Sequence, residues 1–128
     1  GVQTCALPIC FTFFADYISK RIGFDEAMAN ILEFDGDVLT GTVADPILGK
    51  EAKLSRLLTL AAFHDIPLAA TLAVGDGAND LDMIRLAGVG VALHAKPTVA
   101  AQAKVRIDHG DLTALLYMQG YRQEDFAA

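Results

Sequence analysis

Apolar residues recur at helical spacing through Phe13-Phe14-Ala15-Asp16-Tyr17-Ile18-Ser19-Lys20-Arg21-Ile22, and Gly23 stands where helices commonly stop, so the first predicted element is a helix ending there. Asn30-Ile31-Leu32-Glu33-Phe34 and Val38-Leu39-Thr40-Gly41-Thr42-Val43 are short strand-like runs flanking Asp35-Gly36-Asp37, a turn signal. Together they predict a small antiparallel β-hairpin flap. From Glu51 to Asp65, Leu54, Leu57, Leu58, Ala61 and Ala62 share one helical face, and Pro67 blocks continuation.

The most regular stretch follows. Thr71-Leu72-Ala73-Val74 reads as a buried strand, followed by a glycine-rich turn, a helix from about Asp80 to Ala87, and a second strand over Val89-Gly90-Val91-Ala92-Leu93. This is a βαβ unit. Pro97 to Lys104 predicts another short helix, Val105-Arg106-Ile107 a strand, and Asp111 to Gln119 a closing helix ended by Gly120. The alternation predicts an α/β fold with a Rossmann-like, doubly wound, mainly parallel sheet.

With 128 residues, 53% apolar residues and a mean hydropathy of +0.38, the chain has the length and apolar surface for one compact unit. Its net charge is −6, from 10 basic against 16 acidic residues, and the basic residues are scattered, which argues against a nucleic-acid partner. No apolar run approaches the roughly 18 residues that span a bilayer, and the start lacks a signal-peptide pattern, so the chain reads as cytoplasmic with no membrane partner. Cys5 and Cys10, the only cysteines, have no neighbouring ligands that suggest a zinc site or a disulfide framework.

The chemistry concentrates in Gly75-Asp76-Gly77-Ala78-Asn79-Asp80-Leu81-Asp82-Met83. Ligands of open α/β sheets bind beyond the carboxyl ends of strands, which is where Asp76 falls. Gly75 and Gly77 are expected to let backbone approach a ligand closely, and Asn79 and Asp80 to open a helix whose N–H groups favour anions. Carboxylates without nearby His or Cys favour Mg²⁺ sharing its ligand shell with a substrate phosphate. The plainer reading is that Asp76, Asn79 and Asp80 are turn and cap residues. His64 and His109 stand in ordinary places near helix ends, Lys96 in a loop at the edge of the site, and Asp82 where it compensates a helix start.

Gly75 to Asp80 match Gly-Asp-Gly-x-Asn-Asp, a form of the last motif of the haloacid dehalogenase superfamily, which the chain therefore resembles. Phe11-Thr12-Phe13-Phe14-Ala15, Asp82-Met83-Ile84, His94-Ala95-Lys96-Pro97 and the region around Asp111-Leu112 are similar to the C-terminal part of its bacterial phosphoserine phosphatases from roughly Phe11 onward. The resemblance implies hydrolysis of phosphoserine to serine and phosphate, the last step of serine biosynthesis, through an aspartate nucleophile and Mg²⁺. It implies that Asp76 is a metal ligand and that Lys53 holds phosphate and nucleophile together. Asn79 then helps position substrate, and Asp80 orients Lys53 or a metal-bound water. Without the family match, Lys53 is a solvated helix residue.

The same resemblance exposes absences. No Asp-x-Asp-x-Thr nucleophile motif occurs in these 128 residues, nor the helical cap that follows it. Pro8, Ile9, Cys10 and Phe11 stand where the family has a phosphate-binding Ser-Gly-Gly-Phe loop. Phe11 alone keeps the family residue and is carried as a substrate-binding candidate, although Phe11, Phe13 and Phe14 are more often core residues. The opening run from Gly1 to Ile9 resembles translated sequencing adapter. The expected organisation is thus a non-native leader over residues 1–10 and a truncated haloacid dehalogenase-like core over 11–128, inactive alone. The alternatives are a phosphatase of another small phosphate ester, or an inactive shortened relative that binds a metal or partner.

Overall fold

The computed structural model describes residues 4–6, 8 and 10–127. Where length predicts one compact unit, the chain forms two, Gly1–Lys53 and Leu54–Ala128, because the strands of each pair only among themselves.

In the first unit, β1 (Cys5–Ala6) pairs in parallel with β2 (Glu26–Ala27), and the pairing runs on through Met28 N–H to Ala6 O at 2.9 Å and Asn30 N–H to Cys10 O at 2.9 Å. The Thr4 N–H and hydroxyl both donate to the Asp25 carboxylate, at 2.8 and 2.7 Å. Helix α1 (Thr12–Ile22) joins the two strands and ends at Gly23 with φ +77°, as its sequence predicts. It buries Ala15 and Ser19, four residues apart and so one above the other. Phe13 and Phe14, expected in a core, are instead 75% and 58% exposed, because they lie roughly 200° and 100° around the helix from Ala15.

The predicted flap is an antiparallel hairpin, β3 (Leu32–Asp35) with β4 (Val38–Val43), paired Phe34 to Leu39 and Asp35 to Val38 and turning through Gly36 at φ +60°. The Thr42 hydroxyl donates to the Glu33 carboxylate at 2.6 Å, closing the polar face. Helix α2 (Lys50–Phe63) follows. Ala61 is buried and Leu54 and Leu57 are half-buried as expected, but Leu58, at 42%, and Ala62 are exposed, so the covered stripe is narrower than the apolar pattern.

The second unit holds a parallel sheet in the order β5 (Leu72–Gly75), β6 (Val89–Leu93), β7 (Val105–Ile107). Its two faces differ in residue size. Leu72, Val74, Val89, Val91, Leu93, Val105 and Ile107 share one face, whereas Ala73, Gly75, Gly90 and Ala92 share the other with Arg106 of the edge strand β7. The small face admits α3 (Leu81–Leu86) and α4 (Pro97–Ala100) at close range, and Ile84, Ala92, Val99 and Ala100 form one buried cluster there. The strands follow one another in sequential order and both helices pack on one side of the sheet, as this shared cluster shows.

Three helices are shorter than expected. Helix α3 begins only at Leu81, after a 3-10 turn over Ala78–Asp80, and α5 is confined to Thr113–Met118 before Gly120 at φ +91°. Helix α4 stops at Ala100 instead of Lys104 because Gln102 already bonds three residues back, to Val99 O. Lys104 then turns its ammonium onto Ala87 O at 3.3 Å and Gly88 O at 2.9 Å, just past the end of α3, where a cation meets the negative end of the helix dipole. Lys104→Met should therefore lower stability by about 1 kcal/mol, as lost helix-terminal charge pairs typically do. A urea midpoint equal to that of the parent chain would count against this. Among the described residues no helix is long and apolar enough to cross a membrane.

Candidate active site

Strand β5 carries the chain to Gly75, and Asp76 is the next residue beyond its carboxyl end. Its side chain is exposed and makes no hydrogen bond or ion pair among the described residues. Asp80 is the opposite case, a carboxylate 3% exposed. Its Oδ2 accepts the N–H groups of Asp76 at 3.2 Å and Gly77 at 3.1 Å, while its own N–H donates to Gly77 O at 3.0 Å. The buried charge is thus met by backbone donors, and the loop is folded around it. Asn79 lies alongside, its amide 3.5 Å from the other Asp80 oxygen, at the limit of a hydrogen bond.

This geometry changes the reading of the glycines. They are expected to let backbone approach a ligand closely, yet Gly77 has an ordinary φ of −116° and Gly75 is a strand residue. Their missing side chains make room for the loop itself. A Cβ on Gly75 would stand 2.6 Å from Asp80 Oδ2, and one on Gly77 would clash with the Asn79 side-chain oxygen. The N–H groups of Asp76 and Gly77, which precede the turn over Ala78–Asp80, are taken by Asp80.

The loop after β6 abuts this turn, Lys96 N–H donating to Asp76 O at 3.2 Å. Upstream of Lys96, His94 sits in the left-handed region at φ +47° and joins the loop after β7 through Nε2 to Gly110 O at 2.7 Å. Beyond Gly110, the Thr113 hydroxyl and N–H both donate to Asp111 and hold its carboxyl below the usual range, so it stays ionised to lower pH than a free aspartate. Sequence reasoning passed over His94; its place between two crevice loops has no signature in spacing.

The second unit therefore brings Asp76, Asn79 and Asp80 together, whereas the two other candidates lie in the first unit. Lys53 is in α2, and Phe11 immediately precedes α1, bridged to Asn30. Asp82 pairs with Arg85 at 3.9 Å within α3, in keeping with a helix-start role, and the His64 ring stacks edge-on against Phe63. Among the described residues no group of three or more His, Cys, Asp or Glu side chains could enclose a metal. What is present is one accessible hard-oxygen ligand on a fixed loop. That donor suits Mg²⁺, which takes one or two carboxylates and fills its shell with water and phosphate oxygen.

Residues 43–118 match the model of the haloacid dehalogenase-like hydrolase family. Phosphoserine phosphatase of Streptomyces coelicolor is 41% identical over 128 residues, all of this chain and 31% of that protein. Among solved structures, the unliganded probable phosphoserine phosphatase of Vibrio cholerae superposes with a TM-score of 0.88 at 38% identity, covering 92% of this chain and 36% of that one. A phospho-aspartyl intermediate analogue of phosphoserine phosphatase gives 0.83 at 35% identity, covering 89% and 55%. The chain spans between about a quarter and a half of the length of the curated relatives it matches. These similarities agree with the parallel sheet. The chain belongs to the haloacid dehalogenase-like hydrolases.

Proposed function

We propose that these residues are the C-terminal part of a cytoplasmic, Mg²⁺-dependent phosphoserine phosphatase of serine biosynthesis, and that they supply its metal-ligand loop. In this reading residues 11–128 are a portion of its core. The observation that carries the proposal is the Asp76 carboxylate, exposed and without a side-chain partner among the described residues, on a loop whose shape Asp80 fixes. Similarity to phosphoserine phosphatases over the whole chain supports the substrate class, and a relative captured as a phospho-aspartyl analogue supports covalent chemistry on an aspartate.

The reaction joins an aspartate oxygen, from outside these residues, to phosphorus while the bond from phosphorus to the serine oxygen breaks. Water then attacks phosphorus, releasing phosphate and restoring the carboxylate. Mg²⁺, when bound, neutralises charge on the phosphate oxygens. Asp76 holds the ion. Lys53 offsets the negative charge of phosphate and nucleophile, where a fixed cation is worth far more than in water. Asn79 and Phe11 contact substrate. Asp80 keeps the loop closed and so keeps Asp76 directed outward, besides orienting Lys53 or a metal-bound water.

Two measurements on the purified 128-residue chain test this. With phosphoserine and Mg²⁺ it should release no phosphate, since it holds no Asp-x-Asp-x-Thr nucleophile. Mn²⁺, used as a spectroscopic stand-in, should bind, and Asp76→Asn should reduce its affinity about tenfold or more, the scale of a lost charge contact in a metal shell. Turnover by the chain alone, or Mn²⁺ binding indifferent to Asp76→Asn, would overturn the proposal.

A further inference from the structure

Three loops follow the ends of β5, β6 and β7, and two hydrogen bonds tie the middle one to its neighbours. Lys96 N–H reaches the Asp76 carbonyl on one side, and the His94 imidazole reaches the Gly110 carbonyl on the other. Because Gly110 offers a carbonyl oxygen, His94 Nε2 is the donor and carries the proton. The backbone at His94 is shaped for this reach. Its φ of +47° is a conformation few residues with side chains adopt, and its own N–H is anchored to Ile107 O at 2.9 Å. With main chain and ring both fixed to the β7 side, the short run from His94 to Lys96 has little freedom, and Pro97 at the start of α4 restricts it further.

Resting on the reading of Asp76 as a metal ligand, we infer that His94 is a positioning residue for that site. Its imidazole clamps the β7 loop, the clamp holds the Lys96 N–H in place, and that N–H fixes the peptide of Asp76. Asp80 takes the N–H of Asp76 and Lys96 takes its carbonyl oxygen, so the residue bearing the ligand is held at both ends. His94 touches neither substrate nor ion in this scheme.

The test is amide hydrogen exchange by NMR on the full 128-residue chain, with Mn²⁺ titration alongside. His94→Asn tolerates positive φ but its shorter amide cannot reach Gly110 O. It should speed exchange at Lys96 about fivefold, the factor expected for one modest hydrogen bond, and leave Val91 and Ala92 in the middle of β6 unchanged. It should also weaken Mn²⁺ binding severalfold. His94→Gln, which places a donor near the position of Nε2, should restore both. Unchanged exchange at Lys96 in His94→Asn, an equal rise at Val91 and Ala92 that marks a merely structural role, or no rescue by glutamine would each overturn the clamp. Mn²⁺ affinity that survives Asp76→Asn overturns the metal reading instead, and the Lys96 exchange rate still decides the clamp.

Discussion

Gly90→Ala should destabilise the second unit by about 3 kcal/mol, the upper range for forcing a methyl into a filled site. A Cβ on Gly90 would stand only 1.9 Å from the carbonyl oxygen of Ile84 and 2.7 Å from its carbonyl carbon. Both are backbone atoms, so no rotamer change relieves the contact; either α3 lifts from the sheet or β6 shifts in its ladder. Lifting α3 would open the cluster of Ile84, Ala92, Val99 and Ala100 that holds both helices. For a unit of this size the thermal midpoint should fall by roughly 12 °C or more. A thermal melt within 2 °C or so of the parent chain would show that the helix gives way cheaply, and that the close approach of α3 is not a fixed feature.

Asp80→Ala should have the second large effect, on stability and on the metal together. The carboxylate is buried and accepts the N–H groups of Asp76 and Gly77, so its removal strands two backbone donors at about 1–3 kcal/mol each where water cannot fully replace it. A loss of about 2–4 kcal/mol is expected, measured by urea unfolding. Asp80→Asn should lose less, since one amide oxygen can still accept from both groups. If Asp76 is the metal ligand proposed above, Mn²⁺ affinity should fall in Asp80→Ala although Asp76 itself is untouched, because the loop that directs it has opened. Alanine equal to asparagine in both measurements would mean that the two backbone contacts contribute little.

Much of the fold was legible in the sequence because its signals are local. Gly23 and Gly120 end helices in the left-handed backbone that only a residue without a side chain adopts readily, and Asp35-Gly36-Asp37 turns the hairpin at the position that its flanking strands require. The βαβ unit was readable from a buried apolar run, a glycine turn and a second apolar run. What escaped the sequence depends on what lies opposite in space. Phe13, Phe14, Leu58 and Ala62 carry the same apolar signal as their buried neighbours, and helical periodicity does not say how wide a stripe will be covered. Helix α4 ends where Gln102 bonds three residues back, to Val99 O, and Lys104 then finds carbonyls 16 and 17 residues away along the chain.

The site divides in the same way. The run Gly75 to Asp80 located the loop correctly at the end of β5, since composition and strand order suffice for that. Which aspartate faces outward and which is buried is a question of backbone donors, and no spacing rule assigns Asp80 the N–H groups of Asp76 and Gly77. The division of the chain into two units was equally invisible, so Lys53 and Phe11 were joined to the site by resemblance alone.

The unequal faces of the β5–β6–β7 sheet bear on how this chain can change. On the face bearing Val74, Val89, Leu93 and Val105, all half-buried, a change of one methylene is more cheaply absorbed than at the fully buried Val91. On the face bearing Gly75 and Gly90, even one carbon collides with a neighbouring atom that is itself hydrogen-bonded or main-chain. A library randomised along β6 should therefore give an uneven record of survivors, most diverse at positions 89 and 93, narrower at 91 and nearly invariant at 90 and 92. Mutational freedom in this strand would follow the pleat, residue by residue.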